Sequence, residues 1–97
     1  MNIAIFITAS NMKEANKIAN ALVGARLVAC VNILDKVKSV FFWEAKLERA
    51  QEVLLIAKSK KAKFSKIARL AKSLHSYQVP EIIALPIIDG YRPYLKW

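Results

Sequence analysis

The spacing of apolar residues changes along the chain, and each change predicts an element. Asn2 to Thr8 is a short run rich in β-branched and aromatic residues, the pattern of a buried strand. After it the period lengthens: Ala15, Ile18, Ala19 and Leu22 recur at i, i+3, i+4 and i+7, so one face of a helix is apolar. Asn11 with Glu14 three residues later gives that helix a capping-box-like start, and Gly24 offers a left-handed cap at its end. Leu27 to Ile33 reads as a strand with Cys30 and Asn32 on one face and Ala29, Val31 and Ile33 on the other.

Val37 to Trp43 is extended, and its run of Val40, Phe41, Phe42 and Trp43 loads both faces with large apolar groups. Glu44, Ala45 and Lys46 form a hairpin connection, and Gln51 to Ala57 is the next strand. From Lys61 to Leu74 the helical period returns, with Phe64, Ile67, Ala68, Ala71 and Leu74 as the apolar stripe. The helix should stop near His75, because Ser76 to Pro80 holds turn formers and Pro80 disfavours helical geometry at Val79. Glu81 to Leu85 is a last strand, Asp89-Gly90 marks a turn, and the tail from Tyr91 to Trp97 is the start of a short helix or a strand added to a neighbour. The order strand, helix, strand, strand, helix, strand predicts an α+β protein of the ferredoxin-like, split βαβ plan with a drawn-out central hairpin.

Length and composition sharpen this picture. A chain of 97 residues has room for one domain, residues 1–97, with a thin core. Yet 56% of its residues are hydrophobic, against about 45–50% in ordinary soluble domains. A protomer with helices on one side of its sheet can bury one face of the aromatic segment, so the other face is expected to meet further copies of the chain.

The longest apolar run, Ile82 to Ile88, is far too short to span a bilayer and is broken by Pro86, so no membrane association is expected. The first residues read as a strand rather than a signal peptide. With the lone Cys30, which cannot form an intrachain disulfide, this predicts a cytoplasmic protein. Sixteen Lys or Arg against seven Asp or Glu give a net charge of +9. Much of the excess lies on Lys58, Lys60, Lys61, Lys63, Lys66, Arg69 and Lys72, a solvated helix face and its lead-in. Nucleic acid is not an expected partner, because Phe64 belongs to the buried stripe and no aromatic platform is interleaved with the lysines.

Four blocks of sequence are distinctive: Arg26 to Ile33 (RLVACVNI), Phe42 to Lys46 (FWEAK), His75 to Ile82 (HSYQVPEI) and Tyr94 to Trp97 (YLKW). In this order and spacing they resemble the signatures of the CutA divalent-ion-tolerance family. The resemblance implies a ferredoxin-like protomer in an intertwined homotrimer whose long hairpins pair with neighbouring subunits. It also implies a role in tolerance of divalent cations, copper among them, and a shape like the PII signalling proteins, which respond to small ligands between subunits. The copper-ligand positions of the family fall on Ile7, Leu74 and His75, of which His75 alone can ligate, so copper or zinc is expected to bind weakly at most. The usual Gly of the hairpin block is Ala45, and the usual Pro after His75 is Ser76.

Trp43, Glu52, Lys58, His75, Tyr77 and Glu81 match family positions that the fold would carry toward a cleft between subunits, where they could hold a small polar ligand or a divalent cation. The same groups would suit acid or base chemistry, so an enzyme working in that cleft is the rival expectation. No phosphate-cradling glycine loop, Cys-x-x-Cys, Gly-x-Ser-x-Gly or His-Glu-x-x-His motif supports it. Cys30, mid-strand between Ala29 and Val31, reads as a small packed hydrophobe rather than a reactive thiol.

Overall fold

The computed structural model describes residues 1–96; the last residue of the tail block, Trp97, lies outside the described residues. The elements are β1 (Asn2–Ala9), α1 (Met12–Gly24), β2 (Cys30–Trp43), β3 (Lys46–Lys60), a 3-10 turn (Lys61–Lys63) leading into α2 (Phe64–Leu74), β4 (Ile82–Pro86) and α3 (Arg92–Leu95). The strands form one antiparallel sheet in the order β2-β3-β1-β4. This is the ferredoxin-like plan that the alternating periods predict.

Two-residue alternation sorts each strand into a covered and an open face. Ile3, Ile5, Ile7 and Ala9 of β1 and Val53, Leu55 and Ala57 of β3 are buried. They meet Ala15, Ile18, Ala19 and Leu22 of α1 and Ile67 and Ala71 of α2 in one core, with Phe64, Leu70 and Leu74 packed at its edge. The intervening residues point the other way. Phe6 stands opposite Ile56 and Ile83, and Leu54 opposite Leu34. Neither long helix covers this second face, on which Leu34, Ile83 and Leu85 are exposed.

The strands predicted at 27–33 and 37–43 are one strand. It runs through a register shift between Leu34 and Val37, where Lys36 takes a left-handed φ of 60° and Asp35 Oδ1 accepts from Lys36 N at 2.7 Å. The partner likewise extends back to Lys46, well before the predicted Gln51, because residues 46–52 pair with β2 alone. The outer hairpin is therefore a bare two-stranded ribbon, and the protomer is 45 Å long against 25 × 22 Å in its other dimensions.

The left-handed cap of α1 is not at Gly24, which is helical, but at Arg26, with φ 59°. Arg26 N donates to Val23 O at 3.0 Å and Leu27 N to Leu22 O at 3.1 Å. These are the paired bonds of a Schellman ending, and they consume the residues with which the next strand was expected to begin.

At the ribbon tip Glu44 and Ala45 have φ values of 50° and 65°, and Trp43 pairs with Lys46 across them. This is the two-residue turn with both central residues left-handed, which favours glycine at its second position. Ala45→Gly is expected to raise stability by about 0.5–1 kcal/mol, since relief of the left-handed penalty exceeds the entropy that glycine adds to the unfolded chain. A thermal melt of the two proteins side by side checks this.

Candidate functional site

The site forms where the ribbon leaves the body of the sheet. The helix α2 ends at His75, whose extended backbone (ψ 141°) turns the chain across the end of β1. The His75 side chain is fully buried. Its Nε2 lies 2.6 Å from Thr8 O, and its Nδ1 accepts from Tyr77 N at 3.0 Å. Glu14 Oε1, also 3.0 Å from Nδ1, completes the surroundings of the ring. In the neutral tautomer Nε2–H donates to Thr8 and the Nδ1 lone pair takes the Tyr77 N–H; in the cation Nδ1–H turns to Glu14 instead. Either way both nitrogens are committed within the protomer, and no lone pair is left for a metal.

Glu14 is more than a helix-cap residue. The cap itself is as predicted, with Glu14 N donating to Asn11 Oδ1 at 2.8 Å. The Glu14 carboxylate crosses instead to the loop after α2, accepting from Ser76 N at 2.9 Å and Ser76 Oγ at 2.8 Å, and it is also bonded by Ser10 Oγ. Burial opposes its charge, but these donors and the neighbouring His75 outweigh burial and hold its pKa below the ordinary glutamate value. Stability contributed by this carboxylate is therefore complete above the unfolded-state pKa and is lost as pH falls through the lower folded value. Melting temperatures of the native protein and of Glu14→Gln should differ at about pH 6 and converge toward about pH 3.

Tyr77 stacks at a tilt on His75, ring centroids 4.8 Å apart, and donates its hydroxyl to Glu52 Oε2 at 2.8 Å. Burial, the bond to Glu52 and the charges of Glu52 and Glu14 push its pKa up to about 12. Tyr77 is thus a firm donor at neutral pH and no base. Glu52 is 8% exposed and sits at the root of the ribbon, so this bond ties the loop from His75 to Pro80 to the hairpin.

An open groove of about 900 Å³ runs between that loop and the ribbon. Of the six residues expected to gather, it brings together Trp43, Glu52, Tyr77 and Glu81. His75 stands behind Tyr77 as its support. Lys58 is elsewhere in the protomer, bonded through Nζ to Asn32 Oδ1 on the open face of the sheet. Glu48 and Arg49 also line the groove and went unnoticed in the sequence, since nothing marked residues 47–50 as paired strand.

The positions expected from the resemblance to ligate copper do not make a metal site within one chain. Ile7 and Leu74 pack in or against the core, and His75 is engaged as described. Among the described residues no three His, Cys, Asp or Glu side chains converge on one point. Cys30 is half-buried, with Sγ 3.6 Å from the Tyr94 hydroxyl. Among the same residues no helix is long and apolar enough to cross a membrane.

The chain matches the model of the CutA1 divalent ion tolerance protein over residues 3–97. It is 43% identical over 97 residues to the divalent-cation tolerance protein CutA of Thermus thermophilus, covering 100% of this chain and 94% of that one. The solved structure of the Thermus thermophilus protein superposes with a TM-score of 0.98. That of the CutA of Archaeoglobus fulgidus, 42% identical and covered to 94%, superposes with 0.97. Among animal relatives, the CutA homolog of Xenopus laevis is 43% identical over 94 residues, 97% of this chain and 62% of the relative. The chain thus spans about three fifths of that protein and 53% of the mouse one. On sequence, fold and coverage together, the chain belongs to the CutA1 divalent ion tolerance protein family.

Proposed function

We propose that the chain works as a homotrimeric binding scaffold in divalent-cation tolerance, with its ligand held in a groove that a neighbouring subunit closes. One observation carries this reading. The wall of the groove formed by Phe41 and Trp43 is a two-stranded ribbon with no layer behind it, and Trp43 is 65% exposed. A lone hairpin is marginal in water, so both the wall and the ligand site depend on a second copy packing there. The uncovered sheet face supports the same assembly.

The groove is lined by the carboxylates of Glu48, Glu52 and Glu81 against the one guanidinium of Arg49, with the indole of Trp43 beside them. This favours a hydrated divalent cation or a small positively charged molecule. Copper specifically is a poor match, for the His75 ring nitrogens already have partners. Titration calorimetry of the assembled protein with copper(II) or zinc should give binding weaker than micromolar, unchanged by His75→Gln. Submicromolar, stoichiometric binding abolished by that substitution would contradict the reading.

Small-ligand sensing of the PII kind uses the same groove and differs in its ligand. An enzyme is disfavoured because Tyr77 is held protonated and His75 is sealed from the groove behind it. Residence in the cytoplasm belongs to this proposal. The relatives vary in this respect, one from Arabidopsis thaliana being named chloroplastic and the solved Archaeoglobus fulgidus protein periplasmic.

A further inference from the structure

The lysine-rich stretch does more than face solvent. A second cavity, of about 480 Å³, opens at the end of the sheet away from the groove, between the ending of α1, the last residues of β3 and α3. Arg26, Lys58, Lys60 and Lys63 line it, and no Asp or Glu does. Its other walls are apolar, from Val23, Leu27, Ile87 and Leu95, with the phenol of Tyr94 among them.

The convergence of charge is built by the backbone. Arg26 is the left-handed residue of the Schellman ending, and Lys63 Nζ donates to its carbonyl at 3.2 Å. Ser59 Oγ fastens the same corner by donating to Leu27 O at 2.6 Å. Among the described residues, neither the Arg26 guanidinium nor the Lys60 ammonium has an ion pair or a side-chain hydrogen bond. Like charges on a convex helix face separate into water; lining a concave, partly apolar cavity they focus a positive field inside it. The volume falls within the range of about 300–1,000 Å³ usual for small-molecule sites.

We infer that this cavity binds a small organic phosphate, its phosphoryl group against Arg26, Lys60 and Lys63 and its apolar or aromatic body against Tyr94 and Leu95. The guanidinium can hold a phosphate through two parallel hydrogen bonds, while the ammonium groups supply point charges. The site is independent of the groove, shares none of its residues, and stands whether or not the groove binds a cation.

Calorimetry of the assembled protein at about 0.15 M salt, where the Debye length is about 8 Å, tests it, with phenyl phosphate, inorganic phosphate and phenol as probes. Phenyl phosphate is expected to saturate at one per chain and to bind more tightly than either of the others. Arg26→Ala and Lys60→Gln should each weaken it by about tenfold, the loss expected for one charge-assisted contact. Lys66→Gln and Lys72→Gln, in the same basic stretch but on α2 and outside the cavity, should stay within about twofold, since exposed charges at a distance are screened. The Lys60→Gln protein also guards against misfolding of the Arg26 variant at its helix ending. Absence of saturable binding, equal affinity for phenyl and inorganic phosphate, or equal losses in the Lys66 and Lys72 controls would overturn the inference.

Discussion

Replacing Phe41 and Phe42 together with Asp is expected to leave a folded protomer and no trimer. The two rings lie on opposite faces of the ribbon, Phe41 across from Glu48 and Phe42 across from Leu47, and Phe42 is 75% exposed. Neither belongs to the core formed by β1, β3, α1 and α2, so the protomer loses little. In the assembly each ring should be covered by a neighbour. Burying one such side chain contributes roughly 1.5–3 kcal/mol, and six rings per trimer bring the loss to roughly 10 kcal/mol or more. A carboxylate forced into the same contact adds its own desolvation cost. Sedimentation should return single chains with the far-ultraviolet spectrum of a folded protein. A trimer that survived the double substitution would mean that the ribbon is not the interface.

His75→Ala is expected to act on stability before it acts on any ligand. The ring is fully buried and serves the Thr8 carbonyl through Nε2 and, through Nδ1, the Tyr77 N–H when neutral or the Glu14 carboxylate when protonated. Its removal strands a part-buried acceptor and a part-buried donor and leaves a void under Tyr77, a loss of about 2–4 kcal/mol. His75→Gln, which keeps a donor near the position of Nε2, should recover part of that loss. Thermal or denaturant unfolding of the three proteins measures it. If His75→Ala melted with the native protein while metal affinity vanished, the residue would be a ligand and not a structural support.

The elements whose burial is local were readable from the chain. The i, i+3, i+4 stripe from Ala15 to Leu22 and the alternation of Ile3, Ile5 and Ile7 each encode one buried face, and the Asn11 cap is a contact over three residues. What escaped depends on distant partners. The polar stretch from Lys46 to Ala50 has no strand signature of its own and is extended because β2 lies beside it. Gly24 suggested a helix cap by residue type, but the helix runs one turn position further, and Arg26 takes the left-handed conformation.

The candidate site divides in the same way. Trp43, Glu52, Tyr77 and Glu81 were picked out by resemblance to a family, and the fold brings them to one groove. The role of Glu14 was hidden because its spacing from Asn11 already explained it, while its carboxylate reaches Ser76, far along the chain. Lys58 belongs with the basic cavity in the protomer because of distance along the strand: it lies roughly 20 Å of β3 beyond Glu52, at the end of the sheet where Asn2 and Lys60 pair.

The deciding measurement is sedimentation velocity of the unmodified protein at micromolar concentration in moderate salt. Exposed Phe42, Trp43 and Leu47, together with an uncovered sheet face, call for burial against further copies, and the proposed assembly predicts a particle three chains in mass that does not dissociate on dilution through that range. A compact, well-folded particle with the mass of one chain would show that the ribbon is stable alone, and the shared groove would have no second wall.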